Sequence, residues 1–375
     1  ARHGGATPRQ IAEQHMPELQ QELLKADMHM IRLPSTDITD LARSATITST
    51  SDLAPKSEGQ DGWLELIYDL AQQVPVNSGP LTTLSLPLRS ETGGEAKIRL
   101  YLSGKLGRFN NHDPIAETTI TLPAGGEGWH DWALDLNIPE NQLLWITVDK
   151  APNVFWGYQD QEIFGSRFAA RFHGELVPHI HHGRAQIAPV FDDWFPINHN
   201  GRLPAELHDW VSNTVGMEHD RKVRATLSHR IEPAPHPYQA SNVVNGISRA
   251  EDLPNIWISD PASDEPQSLS LSWDTSQNIS EIRLTFDTDL DAPDRCYGWP
   301  REAHRFTFPV PECIRDYRVH SRLGNEWSEV LSVTGNYNRH RIHTLDAPIK
   351  SDELRVEMLA TNGADSARLY EIRVY

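Results

Sequence analysis

Hydrophobic positions along this chain follow two different periods. Over roughly the first fifty residues, Ile11, Met16, Leu19, Leu23 and Leu24 recur at helical spacing. Thr7-Pro8 puts a capping residue and a proline where a helix would begin. Pro17 lacks the donor that a helix interior needs. The spacing therefore predicts two short helices, with a further short turn over 37–41. After Ala42-Arg43-Ser44 the composition turns to Thr and Ser, and the helical period ends.

From Trp63 onward the period is two. The run 63–70, the alternating Ile98, Leu100 and Leu102, the segment 129–136 with Trp129, Trp132, Leu134 and Leu136, and the run 143–148 all read as strands. Asn77-Ser78-Gly79-Pro80, Gly93-Gly94 and Gly125-Gly126 punctuate them. Short strands so spaced, with no helix between them, predict a sandwich or barrel and exclude a parallel α/β fold. Residues 175–235 lose the alternation and gather His, Asp, Pro and Trp, with one short helix predicted over 205–210. A free linker would expose Phe191, Trp194, Phe195 and Trp210, so this stretch is expected to be a structured connection. From about 236 alternation returns in Leu269, Leu271 and Trp273, in Ile282, Leu284 and Phe286, and in Tyr370, Ile372 and Val374. Residues 339–343 and 354–358 read as inner strands, and Trp257 and Trp273 as core.

Composition narrows the partners. A chain of 375 residues suits two or three domains, and 38% hydrophobic content suits packed cores. No apolar run is long enough to span a membrane. The chain opens at Ala1 with no charged-then-apolar leader, and its start reads as a cut, a fragment or a processed product. Fifty-two acidic against 34 basic side chains leave a net charge of −18. Such a surface repels nucleic-acid phosphates and anionic membranes and favours neutral ligands or a basic partner domain. Cys296 and Cys313 either close a disulfide or remain two buried thiols, and without a CxxC pair a zinc ribbon is excluded. Acidity and a disulfide would both suit a periplasmic or extracellular protein.

Three groups of residues could carry chemistry. His179, His181 and His182 cluster, with Asp192, Asp193, His199, His208, Asp209, His219 and Asp220 downstream. Imidazoles and carboxylates ligate transition metals, although no HExxH helix is present and hydrogen-bonded surface histidines are the alternative. Trp156 and Tyr158, in the glycine-containing stretch 153–158, and Tyr297 and Trp299, beside Cys296, could stack on the CH faces of a sugar. Packing inside a core or between domains is the alternative for both pairs. The adjacent Asp192-Asp193 does not supply the spatial separation that paired-carboxylate catalysis needs, and no G-x-S-x-G elbow occurs.

The second β region resembles the discoidin, or galactose-binding-like, jelly roll in its opening Tyr238-Gln239-Ala240-Ser241-Asn242-Val243-Val244-Asn245-Gly246 and its closing Leu369-Tyr370-Glu371-Ile372-Arg373-Val374-Tyr375. With Arg249, Asn255-Ile256-Trp257, Ile282-Arg283-Leu284-Thr285-Phe286, Ile314-Arg315-Asp316-Tyr317-Arg318 and Gly335-Asn336-Tyr337-Asn338-Arg339, it is similar to the C-terminal region of bacterial FAD-dependent oxidoreductases associated with carbohydrate metabolism. Glu18-Leu19-Gln20-Gln21-Glu22-Leu23-Leu24 and Asp40-Leu41-Ala42-Arg43-Ser44 resemble the end of their flavin domain and the junction after it. The resemblance covers about 1–50 and 233–375. It implies FAD in a parent protein whose flavin domain lies upstream and is missing here. No G-x-G-x-x-G opens a βαβ unit, so this chain alone is expected to bind no flavin. The resemblance also implies one structural calcium, with Glu371 as a ligand and Asn245 where relatives carry an aspartate; pairing of Glu371 with Arg249 or Arg373 is the alternative.

The expectation is an all-β chain of two jelly-roll-like sandwiches in series, the second discoidin-like, with a short N-terminal helical segment. Its divisions are 1–50, 51–174, 175–235 for the connection and 236–375. The function expected is a non-catalytic carbohydrate-binding or scaffolding region of a FAD-dependent oxidoreductase-like protein. The alternatives are a self-contained carbohydrate-active hydrolase or lyase using the His/Asp-rich connection, or a surface adhesion module.

Overall fold

A computed structural model describes residues 39–106, 113–161, 163–171, 225–249, 253–263, 266–288 and 309–375, together with the backbone of 180–181, 184–185 and 195–196. The helices predicted before residue 38, and most of the connection, lie outside them. The strands are β1 (Thr46–Ser49), β2 (Gly62–Leu66), β3 (Asp69–Pro75), β4 (Gly79–Ser90), β5 (Gly94–Ser103), β6 (Ala116–Leu122), β7 (Gly126–Ile138), β8 (Leu143–Val148), β9 (Ala151–Gln159) and β10 (Arg167–Arg171). Short pieces follow as β11 (Ile180–His181), β12 (Arg184–Ala185), β13 (Phe195–Pro196), β14 (Thr226–Leu227), β15 (Arg230–Glu232) and β16 (Trp257–Ile258). The second region is completed by β17 (Ser268–Phe286), β18 (Ile314–Leu323), β19 (Glu326–Val333), β20 (His340–Thr361) and β21 (Arg368–Val374). Helical structure among the described residues is confined to the 3-10 turns Leu41–Ser44 and Ala240–Val244.

The first sandwich faces two antiparallel sheets across one core. β13, β10, β3, β8, β5 and β6 form one sheet; β2, β9, β4, β7, β14 and β15 form the other. Leu84, Leu86 and Leu88 of β4 share the core with Leu70 and Val74 of β3 and Leu144, Ile146 and Val148 of β8. The predicted run 63–70 is two strands. It bends at Ile67-Tyr68, so that β2 pairs with β9 in one sheet and β3 with β8 in the other. Neither bend residue is a turn former, and nothing in the run marks the corner. β8 is buried at every position because both faces of its sheet are covered, with Trp145, Ala71 and Ala169 packed on the side away from the core. That is why 143–148 reads as a continuous apolar run and not as an alternation. On β7, Trp132, Leu134 and Leu136 pack on the core, whereas Trp129 pairs with Pro87 on the outward face beneath Arg230.

The second sandwich is one continuous sheet folded over itself. β17 and β20 pair along almost their whole lengths, from Ser268 opposite Glu357 to Thr285 opposite His340. The register shifts between Ser272 and Gln277 and again after Ile279. Such irregularities bend strands and let them turn a corner. On one side of the corner the neighbours are β1, β18 and β19; on the other they are β21 and β16. Leu269 and Leu271 from one half meet Ile282, Leu284 and Phe286 from the other in a single core, with Trp257 and Trp273 also buried. Residues 354–358 are inner, as predicted. The expected inner strand 339–343 is half-exposed, because that part of β20 belongs to the other layer and alternates between core and solvent.

Chain order does not follow domain order. β1 pairs with β17, so residues 46–49, expected in the junction, complete the second sandwich. β14 and β15 pair with β9 and β4, so 226–232, expected in the connection, complete the first. The first sandwich is thus inserted within the second. Asp40 ties the entry point down: its Oδ1 caps Ala42 N at 3.1 Å and accepts from Val374 N of the last strand at 3.0 Å. Between the sandwiches, Tyr238, Ile256, Ile258 and Tyr370 pack with Leu53 and Phe164. The Tyr238 hydroxyl donates to Phe164 O at 2.5 Å.

One buried imidazole makes the first sandwich sensitive to acid. His229 is 3% exposed, and its Nδ1 lies 2.8 Å from Leu227 O. Burial pulls its pKa down from 6.5 to about 4, against the opposing pull of the Leu227 carbonyl and Glu58. The folded state therefore binds fewer protons than the unfolded one between those values. Stability present above pH ~6.5 is lost as pH falls towards ~4, by up to about 3 kcal/mol. The melting temperature should fall across this window, and less steeply in His229→Gln. Equal slopes in the two proteins would remove His229 as the cause.

Candidate functional site

Of the two aromatic pairs predicted to stack on a sugar, Trp156 and Tyr158 are not at the surface. Residues 153–158 are the middle of β9 and not a loop. Trp156 is fully buried in the first core, and its indole N–H donates to Ser228 O at 2.8 Å. Tyr158 is 7% exposed in the same core. Alternation along β9 turns both inward, so neither can stack on a ligand. Tyr297, Trp299, His179 and His182 lie outside the described residues. His181 is described only as backbone, paired with Arg184. Among the described residues, no group of three or more His, Cys, Asp or Glu could hold a metal ion.

The residues implied for calcium are engaged by protein partners. Glu371 is 4% exposed, and its Oε1 accepts from Arg373 Nε at 2.8 Å and Nη2 at 2.7 Å. The Asn245 side chain accepts from Ile247 N at 2.8 Å and donates to Asn255 at 3.3 Å. The pair as it stands does not fit an ion, which would have to displace Arg373. Cys313 is a buried free thiol, its pKa pushed up to about 11 by burial. It is not half of a disulfide, and Cys296 lies outside the described residues.

One end of the second sandwich gathers loops that are rigidly tied. At its centre is Asn336, 2% exposed in the turn between β19 and β20. Its amide donates to Ile314 O at 2.7 Å and Asn338 O at 3.2 Å, and its Oδ1 accepts from Asn338 N at 3.1 Å and Arg341 Nη1 at 3.0 Å. Asn362 reaches across from the end of β20 to bond Asn336 O and Cys313 O, each at 3.0 Å. Gly335 adopts φ +68°, which a side chain would strain, and its N–H donates to Asp316 at 2.9 Å. That bond, with Arg315 alongside, holds the Asp316 carboxyl below the usual range.

Arg339 then links this turn to its neighbours. It donates to Ser248 O in the opening loop and to Thr288 Oγ1 at 3.4 Å, while its guanidinium lies 4.8 Å from the Tyr370 ring centre. The opening loop is built around Gly246, at φ +85° with Arg43 packed where a side chain would stand. Out of this framework project Tyr337, 53% exposed, and Ile247, 42% exposed, with Asn338 and Arg249 also exposed. A phenol ring held on a pinned turn beside amide and guanidinium donors can stack on an apolar ligand face and bond its hydroxyls. The sequence signal was Gly-Asn-Tyr-Asn, which marks a turn but does not say which ring points out.

No family model matches the chain, and no curated protein matches it. Among solved structures, it is similar to the family 32 carbohydrate-binding module of Streptococcus pneumoniae EndoD, at 17% identity and a TM-score of 0.29 over 37% of this chain and 86% of that one. It is similar to the family 32 module of C. perfringens NanJ, solved with galactose, at 20% identity and TM-score 0.28 over 37% and 85%. It is also similar to a chitosan-binding module of a Paenibacillus sp. IK-5 chitosanase/glucanase, at 15% identity and TM-score 0.28 over 37% and 86%. With TM-scores this low, the fold rests on the strand pairing described above. No helix among the described residues is long and apolar enough to cross a membrane.

Asn336→Ala removes a buried amide that satisfies the Ile314 carbonyl of β18 and the Asn338 carbonyl of the turn, and should cost about 2–4 kcal/mol in urea unfolding. A loss under ~1 kcal/mol would mean the loop end is not held by this residue.

Proposed function

We propose that this chain is a non-catalytic carbohydrate-binding and scaffolding region, and that the tied loop end of the second sandwich takes the sugar. The observation that carries this reading is Tyr337, 53% exposed on a turn whose neighbouring residue Asn336 is buried and fully bonded. Little conformational freedom remains to be lost when a ligand stacks there, which favours affinity. The net charge of −18 is compatible with a neutral ligand.

The finer setting, a C-terminal region of a FAD-dependent oxidoreductase-like protein acting in carbohydrate metabolism, rests on the sequence resemblance. The Asp40–Val374 bond means that a domain preceding residue 39 would join beside the last strand of the second sandwich. The scaffold role follows from that position: a rigid β unit alongside the catalytic domain, presenting a sugar or bracing the fold. In that setting FAD would be held by the upstream domain, since this sequence carries no G-x-G-x-x-G.

Binding to immobilised oligosaccharides should fall at least tenfold in Tyr337→Ala, with the melting temperature unchanged. Binding that survives the substitution would move the site elsewhere. For calcium, the melting temperature should be the same in calcium and in EDTA. A rise in calcium that disappears in Glu371→Gln would restore the ion.

A further inference from the structure

We propose a second carbohydrate-binding surface, a flat platform on the outer face of the second sandwich built around Trp327. It shares the ligand class of the loop-end reading but none of its residues. Trp327 lies on the edge strand β19 and is 40% exposed, the one tryptophan so exposed among the described residues. Its ring does not hang free. The guanidinium carbon of Arg355, two strands inward, lies 4.3 Å from the ring centroid, and that of Arg322 lies 5.8 Å away. The two arginines are in turn held by Glu353, at 2.8 Å from Arg322 and 3.7 Å from Arg355. The indole is thus folded back over the sheet, one face supported by cations and part of its surface open to solvent.

Strand register continues this platform across the whole layer. Trp327 stands opposite Arg322, Arg322 opposite Glu353, Glu353 opposite Ser272, and Ser272 opposite Thr46 of β1. The next row reads Glu329, His320, Arg355, Ser270 and Thr48. Each row spans five strands, about 19 Å at the usual strand spacing. One end is an aromatic plane, the middle is paired guanidinium and carboxylate, and the far end is hydroxyl. Arg355 already donates to Ser270 Oγ at 3.3 Å, so the polar groups are held in place.

The chemistry selects the ligand. A protein partner would need several apolar side chains at the centre of its contact, and these rows hold only one. On a chain of net charge −18, the outward Arg318, Arg322 and Arg355 are balanced by Glu329, Glu353 and Glu357, so neither a polyanion nor a polycation is favoured. The rows lie on an open sheet, which suits an extended ligand better than a small enclosed one. A neutral glycan chain meets all of this: a CH face for the indole, and hydroxyls for the bidentate groups and the Ser/Thr row. The loop end would take one sugar or a chain terminus; the platform would take the interior of a chain.

The test is native affinity electrophoresis of the full chain in gels containing a soluble neutral β-galactan or a soluble neutral β-glucan. Dissociation constants come from retardation against polysaccharide concentration. The wild type should be retarded by at least one of the two. Trp327→Ala should weaken that retardation at least tenfold, Trp327→Phe should retain most of it, and Ile342→Ala, an exposed apolar position on the other half of β20, should leave it within twofold. Circular dichroism and melting temperature check that each variant is folded. Retardation that is lost in Tyr337→Ala and kept in Trp327→Ala would overturn the platform and leave the loop-end reading standing. Absence of wild-type retardation in both gels would also overturn it, whereas binding of short oligosaccharides at the loop end would be judged separately.

Discussion

The pairing of β17 with β20 is the interaction on which the second sandwich depends. These strands run together through both layers, and the register shifts between Ser272 and Glu281 let them turn the corner without parting. Everything else attaches to one half or the other. β18 extends β20, β21 extends β17 beyond the corner, and β1 closes the near half of β17 as an edge. Because β1 comes from the start of the described chain, the sheet is completed only when segments some 220 residues apart meet, Thr46 beside Ser272. Such long-range closure is entropically costly, and the Asp40–Val374 and Thr50–Ser268 bonds help to secure it.

The insertion of one sandwich within the other has a mechanical consequence. Two chain segments cross between them, near 53–57 and 232–238, and the Tyr238, Tyr370 and Phe164 cluster fills the joint. Two crossings and a packed aromatic joint restrict relative motion more than a single linker would. Surfaces on the second sandwich are therefore presented in a defined relation to the first. The insertion also separates roles: the first sandwich uses both faces of one sheet for packing, whereas the second leaves the outer face of β19, β18 and β20 to charged and hydroxyl residues with Trp327 at its edge.

Site residues were less legible than strands, for reasons visible residue by residue. Trp156 looked like a loop aromatic because Asn153 and Gly157 flank it, yet it sits in a strand where alternation turns it inward. Tyr337 and Trp327, the exposed rings, sit among Asn, Glu and Ser, and nothing local distinguishes them from half-buried ones. Glu371 was placed correctly on the last strand. Its carboxylate, however, goes to Arg373, two residues along on the same face, an alternative the spacing left open.

What the sequence determined by itself was the strand-rich, antiparallel class of the described residues, the strand runs 63–70, 98–102, 129–136 and 143–148 of the first sandwich, and the alternating core positions Leu269, Leu271, Ile282, Leu284, Phe286, Ile372 and Val374 of the second. Period-two burial and glycine or proline punctuation are local signals, and they are strong. The tertiary structure alone decided where strands bend, which segment completes which sheet, and which aromatics reach solvent. Those outcomes depend on partners distant in the chain: Ile67-Tyr68 becomes a corner only because β8 and β9 face each other, and residues 46–49 become a strand only because β17 offers an open edge. A local pattern can state that a side chain faces a core, but not which core, nor what lies on the far side of the sheet.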